Sequence, residues 1–249
     1  MSHKPPVLFL MGPTASGKTD LALQLFDHQP VEIISVDSAL IYKGMDIGTA
    51  KPDHETLLHY RHALEDILDP VESFSASEFV DQATRLINVA HSKGKLPVLV
   101  GGTILYFKAL AEGLATMPKA NPALRREIER QAEQEGWPAL HEKLSKLDPA
   151  SGRRLKPLDQ QRIQRALEVV LSTGKSIETF WHEQTSKEHP WEIIPLALMP
   201  NDRSWLHKRI EQRFDLMIAE GFQHEVERLR ARGDLHLDLP SVRCVGYRQ

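Results

Sequence analysis

Gly12-Pro13-Thr14-Ala15-Ser16-Gly17-Lys18-Thr19 is the stretch that decides the fold. It has the spacing GxxxxGK[ST], and it stands between a short apolar run, Val7 to Met11, and an amphipathic stretch from Asp20 to Phe26. That strand–loop–helix setting is the one the motif's chemistry needs. The glycines let successive backbone N–H groups curl around phosphate oxygens at a helix N-terminus, Lys18 adds a point charge, and the Thr19 hydroxyl suits Mg2+. The loop reads a chain of phosphates and not the group attached to them. A nucleotide and any other organic diphosphate are therefore equal candidates at this point.

Outward from the loop, Val31 to Val36, Pro97 to Val100 and Ile193 to Met199 are short apolar runs bounded by Gly, Pro or polar residues, as parallel-sheet strands are. Helical patterns lie between them. Ser75 and Ser77 offer caps for a helix over 77–93 ended by Gly94, and Thr103 caps one running to about Glu112 before Gly113. From about Ala115 the strand pattern stops. Helices are expected over 122–135, 137–147, 158–171 and 176–184, with a basic loop after the second. Asn201 or Asp202 then caps a long helix to Glu220, and Gly221 separates it from another to about Arg232. The fold class is α/β: a parallel sheet core like that of P-loop NTPases, flanked by helices, over 1–114 and 191–249. An inserted helical domain fills 115–190.

With 249 residues, 41% apolar and 26% charged, the chain can bury a substantial core, which excludes disorder and collagen-like repeats. The 31 basic and 34 acidic side chains sum to −3, so no global field announces a nucleic-acid or membrane partner. Any such partner must be read from local charge. A single cysteine, Cys244, excludes an internal disulfide framework, and no apolar run is long enough for a signal peptide or a membrane span. The expected compartment is the cytoplasm, without membrane attachment.

Val36 delivers Asp37 to the carboxyl edge of the sheet, where open α/β folds bind ligands. Asp37 can be a Mg2+ ligand, a general base, or a turn carboxylate before Ser38. The strand ending at Val100 runs into Gly101-Gly102-Thr103 and not into the acid that phosphoryl-transfer sites carry on a neighbouring strand, which weakens an ATPase reading. Thr103 is either a hydroxyl beside the pocket or a simple helix cap. Residues 151–175 carry six basic against two acidic side chains, and Arg162 and Arg165 share a helix face that either grips a polyanion or is simply solvated. Arg243 to Gln249 sets two arginines and Tyr247 in a Gly-containing loop, a combination that can stack on an unpaired base. The histidines show no metal-ligand spacing, Cys244 reads as a small buried side chain, and Trp137, Trp181, Trp191 and Trp205 read as core or interface anchors.

Three stretches, the phosphate loop, Ile34 to Pro52 (ISVDSALIYKGMDIGTAKP) and Val100 to Tyr106 (VGGTILY), resemble bacterial tRNA dimethylallyltransferases, and the resemblance continues through Gln160 to Glu168 and Leu239 to Gln249. It implies transfer of a dimethylallyl group from dimethylallyl diphosphate to the exocyclic amine of the adenosine 3′ to the anticodon, in tRNAs reading U-initial codons. By the family's pattern Asp37, Thr103 and Thr14 are the catalytic set, with Asp37 as general base. Gly12, Pro13, Thr14, Ala15, Ser16, Gly17, Lys18 and Thr19 hold the diphosphate, with Mg2+ at Thr19. The resemblance implies tRNA contacts at Asp37, Ser38, Ala39, Leu40, Thr103, Arg125, Gln161, Arg162, Ile163, Gln164, Arg165, Arg243, Cys244, Val245, Gly246, Tyr247 and Arg248. It also implies that the helical insertion embraces the anticodon stem-loop of a monomeric enzyme. Family members continue past the Gly-Tyr-Arg-Gln segment into further helices, which are expected to be missing here. A P-loop kinase and a non-catalytic RNA-binding module are the rival readings.

Overall fold

The computed structural model describes residues 4–115, 117–118, 121–183 and 188–249. In chain order the elements are β1 (Pro6–Met11), α1 (Lys18–His28), β2 (Val31–Val36), α2 (His54–His59), β3 (His62–Ala63), α3 (Ala76–Ser92), β4 (Leu96–Gly101) and α4 (Ile104–Glu112). There follow α5 (Pro122–Glu135), α6 (Trp137–Leu147), α7 (Pro149–Arg154), α8 (Gln160–Thr173), α9 (Ile177–His182), β5 (Glu192–Ala197), α10 (Arg203–Ala219) and α11 (Phe222–Ala231). Two compact units result, one from residues 1–112 and 188–249, the other from 113–187.

The first unit is built on a five-stranded sheet in the order β3-β2-β4-β1-β5, with every pairing parallel. Alternation along the strands splits the core in two. Val7, Phe9, Ile34, Val36 and Leu99 pack with Phe79, Ala83 and Ile87 of α3 and Phe107 and Leu110 of α4. Leu10, Val31, Ile33, Val98 and Val100 pack with Ala22 of α1 on the other face. A reciprocal capping box fixes the start of α3: Glu78 N–H donates to Ser75 Oγ, and Ser75 N–H donates to the Glu78 carboxylate. The run from Ile193 does join the sheet, but as an edge strand with Ile194 and Leu196 nearly half exposed.

In the second unit Ile128, Leu140, Leu144, Ile163, Ala166 and Leu167 form a separate core among α5, α6 and α8. Asn121 caps α5 by accepting from Ala123 and Leu124, and Gly174 ends α8 in the left-handed conformation. The basic loop expected after α6 is in part a helix, α7. Asp148 accepts from Ser151 N–H at its start, Pro149 occupies its first turn, and Gly152 packs so closely on Ser145 that a side chain would not fit. Proline and glycine, usually turn residues, serve here as a helix opener and a close-packing point. Gln184, the last residue of the expected 176–184 helix, lies outside the described residues. Trp191 is buried, whereas Trp181 and Trp205 are exposed with Arg154 and Arg209 over their rings, so they are not core anchors.

Candidate active site at the carboxyl edge of the sheet

Met11, Val36, Gly101 and Ala197 are register partners or share one through the ladder, so four strands end level. Gly12, Asp37, Gly102 and Leu198 therefore leave the sheet side by side, at strand spacings of about 4.8 Å. Three contacts fix this edge. Leu198 N–H donates to Met11 O at 2.7 Å, Thr103 N–H donates to Val36 O at 3.2 Å, and a side chain on Gly12 would run into Leu198 O.

The phosphate loop is shaped before any anion arrives. Ala15 and Gly17 have positive φ (62° and 93°), and Gly17 stands at the N-cap of α1 with no side chain to close the helix end. The orphan N–H groups there stay available to an anion. Pro13 O accepts from both Ser16 N–H (3.3 Å) and the Lys18 ammonium (2.6 Å). Ser16 Oγ is buried without a protein partner, a polar atom whose burial costs free energy unless a ligand bonds it. Thr14 and Thr19 are exposed on the same loop.

Asp37 accepts Ala39 N–H at 2.8 Å through Oδ1, the turn role, which leaves its second oxygen for other work. Thr103 Oγ1 accepts Ser38 N–H at 3.1 Å, so the hydroxyl ties the β4 end to the β2 end across the site. The readings of Asp37 and Thr103 as structural and as functional residues are therefore compatible.

Arg213, on α10, was not legible in the sequence. It donates to Thr49 O at 3.1 Å and lies near enough to Asp37 and Lys18 for their charges to interact. Burial pulls the Lys18 ammonium below the ordinary lysine range; Asp37 opposes that fall and Arg213 adds to it. Burial likewise lowers Arg213, with Asp37 opposing. Two half-buried cations and one carboxylate thus meet beside a loop lined with N–H groups, an arrangement that holds a polyanion and leaves a base at its flank.

The expected RNA-contact residues are distributed unevenly. Arg162 is exposed and pairs with Asp159; Gln161 is exposed, and Gln164 donates to Glu129. Ile163, expected at an RNA surface, is fully buried in the second unit's core, since it occupies the inward face of α8. Arg125 and Arg165 both bond Glu168, which is 1% exposed, and Arg165 also donates to Pro118 O. Near the end of the chain Val245 and Arg248 are exposed, Arg243 pairs with Asp238, and Cys244 is half-buried with its thiol pushed up to about 11 by burial. Tyr247, read as a stacking residue, is instead buried edge-on against Phe222 and donates to Glu225 at 2.6 Å. Among the described residues no cluster of three His, Cys, Asp or Glu could hold a metal by itself, and no helix is long and apolar enough to cross a membrane.

The fold and this edge define an α/β protein that presents a P-loop beside the carboxylate of Asp37. The family model "IPP transferase" matches residues 40–249. Among solved structures, the full-length tRNA isopentenylpyrophosphate transferase of Bacillus halodurans is 38% identical, with 98% of this chain and 75% of that one covered and a TM-score of 0.66. The tRNA delta(2)-isopentenylpyrophosphate transferase of Staphylococcus epidermidis is 32% identical, covering 98% and 79%, at 0.65. A eukaryotic dimethylallyltransferase acting on tRNA is 26% identical, covering 92% and 56%, at 0.74. The chain belongs to the IPP transferase family, and it is a prenyltransferase.

Proposed function

We propose that this protein transfers the dimethylallyl group of dimethylallyl diphosphate to the exocyclic amine of the adenosine 3′-adjacent to the anticodon, in tRNAs reading U-initial codons. The observation that carries the reading is the level edge: a phosphate loop, Asp37 and Thr103 leave adjacent strands together, while β4 ends in glycine and not in an acid. A site that moved a phosphoryl group would need that acid. One that moves the carbon attached to the diphosphate does not.

In the reaction the amine nitrogen bonds the allylic carbon as its bond to the diphosphate oxygen breaks. Asp37 takes the amine proton at its free oxygen, and Thr103 and Thr14 orient the reacting groups. Negative charge grows on the departing diphosphate, where Lys18, Arg213, Ser16 Oγ and the loop N–H groups lie ready to stabilise it. Thr19 fits a Mg2+ site of the usual kind, one protein hydroxyl with the remaining ligands from phosphate and water; when bound, the ion would neutralise leaving-group oxygens. Base chemistry requires the adenosine to leave its stack. We assign the anticodon arm to the second unit and to exposed Arg162, Arg243 and Arg248, and read the enzyme as a cytoplasmic monomer.

The test is label transfer from dimethylallyl diphosphate to unmodified tRNA, with ATP hydrolysis followed in parallel. Incorporation at that adenosine without ATP consumption is expected. ATP turnover without transfer would give the site to a kinase.

A further inference from the structure

The carboxylate of Glu225, in the first turn of α11, is 1% exposed and accepts four hydrogen bonds. Asp46 N–H and Ile47 N–H donate to Oε2, both at 2.9 Å. Gly48 N–H (3.1 Å) and the Tyr247 hydroxyl (2.6 Å) donate to Oε1. Three consecutive backbone N–H groups converging on one carboxylate form an anion nest, and an amide in its place would offer one acceptor oxygen and a clashing NH2.

Phe222, three residues earlier on the same helix, completes the clamp. Its ring fills the place where a side chain on Gly48 would sit and approaches the corresponding position at Gly246 to 2.7 Å. The Asp46–Gly48 turn is thus pinned on one side by a ring and on the other by three hydrogen bonds, the fourth tying Tyr247 to the same carboxylate. Lys51, its side chain 2% exposed, adds bonds to Tyr42 O and to the Asp46 carboxylate.

The next carbonyl along, Thr49 O, is where the Arg213 guanidinium bonds. α10 has no fully buried residue; Met217, one turn on from Arg213, packs partly against the cluster of Tyr42, Phe222 and Tyr247, which seats the helix but not the far end of the long Arg213 side chain. The hydrogen bond to Thr49 O then carries the orientation, and Thr49 O goes where the pinned turn sends it.

We propose that Glu225 is a positioning residue for the prenyl transfer, acting through the Asp46–Thr49 turn to aim Arg213 toward the diphosphate site of the phosphate loop. The role rests on the transfer function proposed above. It assigns the tail around Tyr247 a share in that aim, since its hydroxyl supplies one of the four bonds.

The experiment is a double-mutant cycle on the full chain, E225Q with R213K, reading both label transfer and affinity for inorganic pyrophosphate, with thermal unfolding as a control. E225Q is expected to lower kcat and pyrophosphate affinity by about tenfold, and to lower neither by more than about twofold when Arg213 is already lysine. Multiplying losses, or an E225Q enzyme with wild-type affinity and rate, overturn the proposal. If E225Q does not fold, Y247F replaces it in the same cycle, with an expected loss of about threefold that again disappears in the R213K background. Should the parent protein transfer no prenyl group, the function fails, while the pyrophosphate arm still decides whether Glu225 acts on Arg213.

Discussion

The carbonyl of Val36 occupies the space in which a side chain on Gly101 would begin. The same oxygen accepts Thr103 N–H, so the residue that ends β2 also seats Thr103, two residues past the end of β4. A methyl at 101 would drive the two strand ends apart at the place where Asp37 and Thr103 are set. G101A is expected to cost about 1–3 kcal/mol in urea unfolding and to reduce transfer far more than that loss explains. Normal transfer by a destabilised G101A protein would detach the strand spacing from the chemistry.

Asp37 separates its two duties by oxygen. In D37N the amide oxygen still accepts Ala39 N–H, so the turn and the melting temperature are expected to stay near the parent's. Transfer should fall by about 100- to 10,000-fold while tRNA binding by filter assay is kept. Unchanged turnover would remove Asp37 as the base.

Arg162 and Arg165 share a helix but should fail differently. Arg162 is exposed and its pair with Asp159 adds little stability, so R162A is expected to keep its melting point. Its tRNA affinity should drop, and the slope of log K against log salt should shrink by about one. Arg165 serves a buried carboxylate, and R165A should cost about 1–3 kcal/mol in unfolding because Glu168 loses a partner. An R165A protein as stable as the parent would return that residue to the RNA surface.

Glu65 sets a pH dependence. Leu64 and Asp66, both at positive φ, bracket it, and burial pushes its carboxyl from an ordinary 4.5 up to about 7; Lys51 opposes this and Asp66 and Asp37 add to it. The folded protein holds this proton more tightly than the unfolded chain, so stability falls as pH rises from about 4.5 to about 7 and is level above. E65Q removes that slope. Its melting temperature should exceed the parent's at pH 8, by at most about 3 kcal/mol in stability, and match it near pH 4. Parallel curves across that range would contradict the assignment.

Much of the fold could be read from local signals. Strands β1, β2 and β4 follow apolar runs with glycine or polar stops; α3 and α5 begin at the side-chain caps Ser75 and Asn121, α6 has proline in its first turn, and α8 ends at left-handed Gly174. β3 escaped because two residues have no period, and α2 because a six-residue polar helix rests mainly on its cap at Asp53. At the site the loop, Asp37 and Thr103 were legible because each sits at a strand end. Arg213 and Glu225 were not: each works through backbone groups about 165–180 residues earlier, and no spacing rule connects them. Ile163 and Tyr247 carried the composition of a contact surface, but burial and, for Tyr247, the Glu225 carboxylate decide where these side chains point.

β1 lies inside the sheet, yet one of its two neighbours, β5, is separated from it by almost the whole catalytic edge and the entire second unit. During synthesis the phosphate loop leaves the ribosome well before the strand that closes over its flank, from Pro6 opposite Glu192 to Met11 opposite Ala197. The second unit, contiguous in sequence, can complete its own core meanwhile. The anion cradle is consequently finished only after β5 has followed the second unit out, and a nascent chain cannot grip its prenyl donor tightly before then.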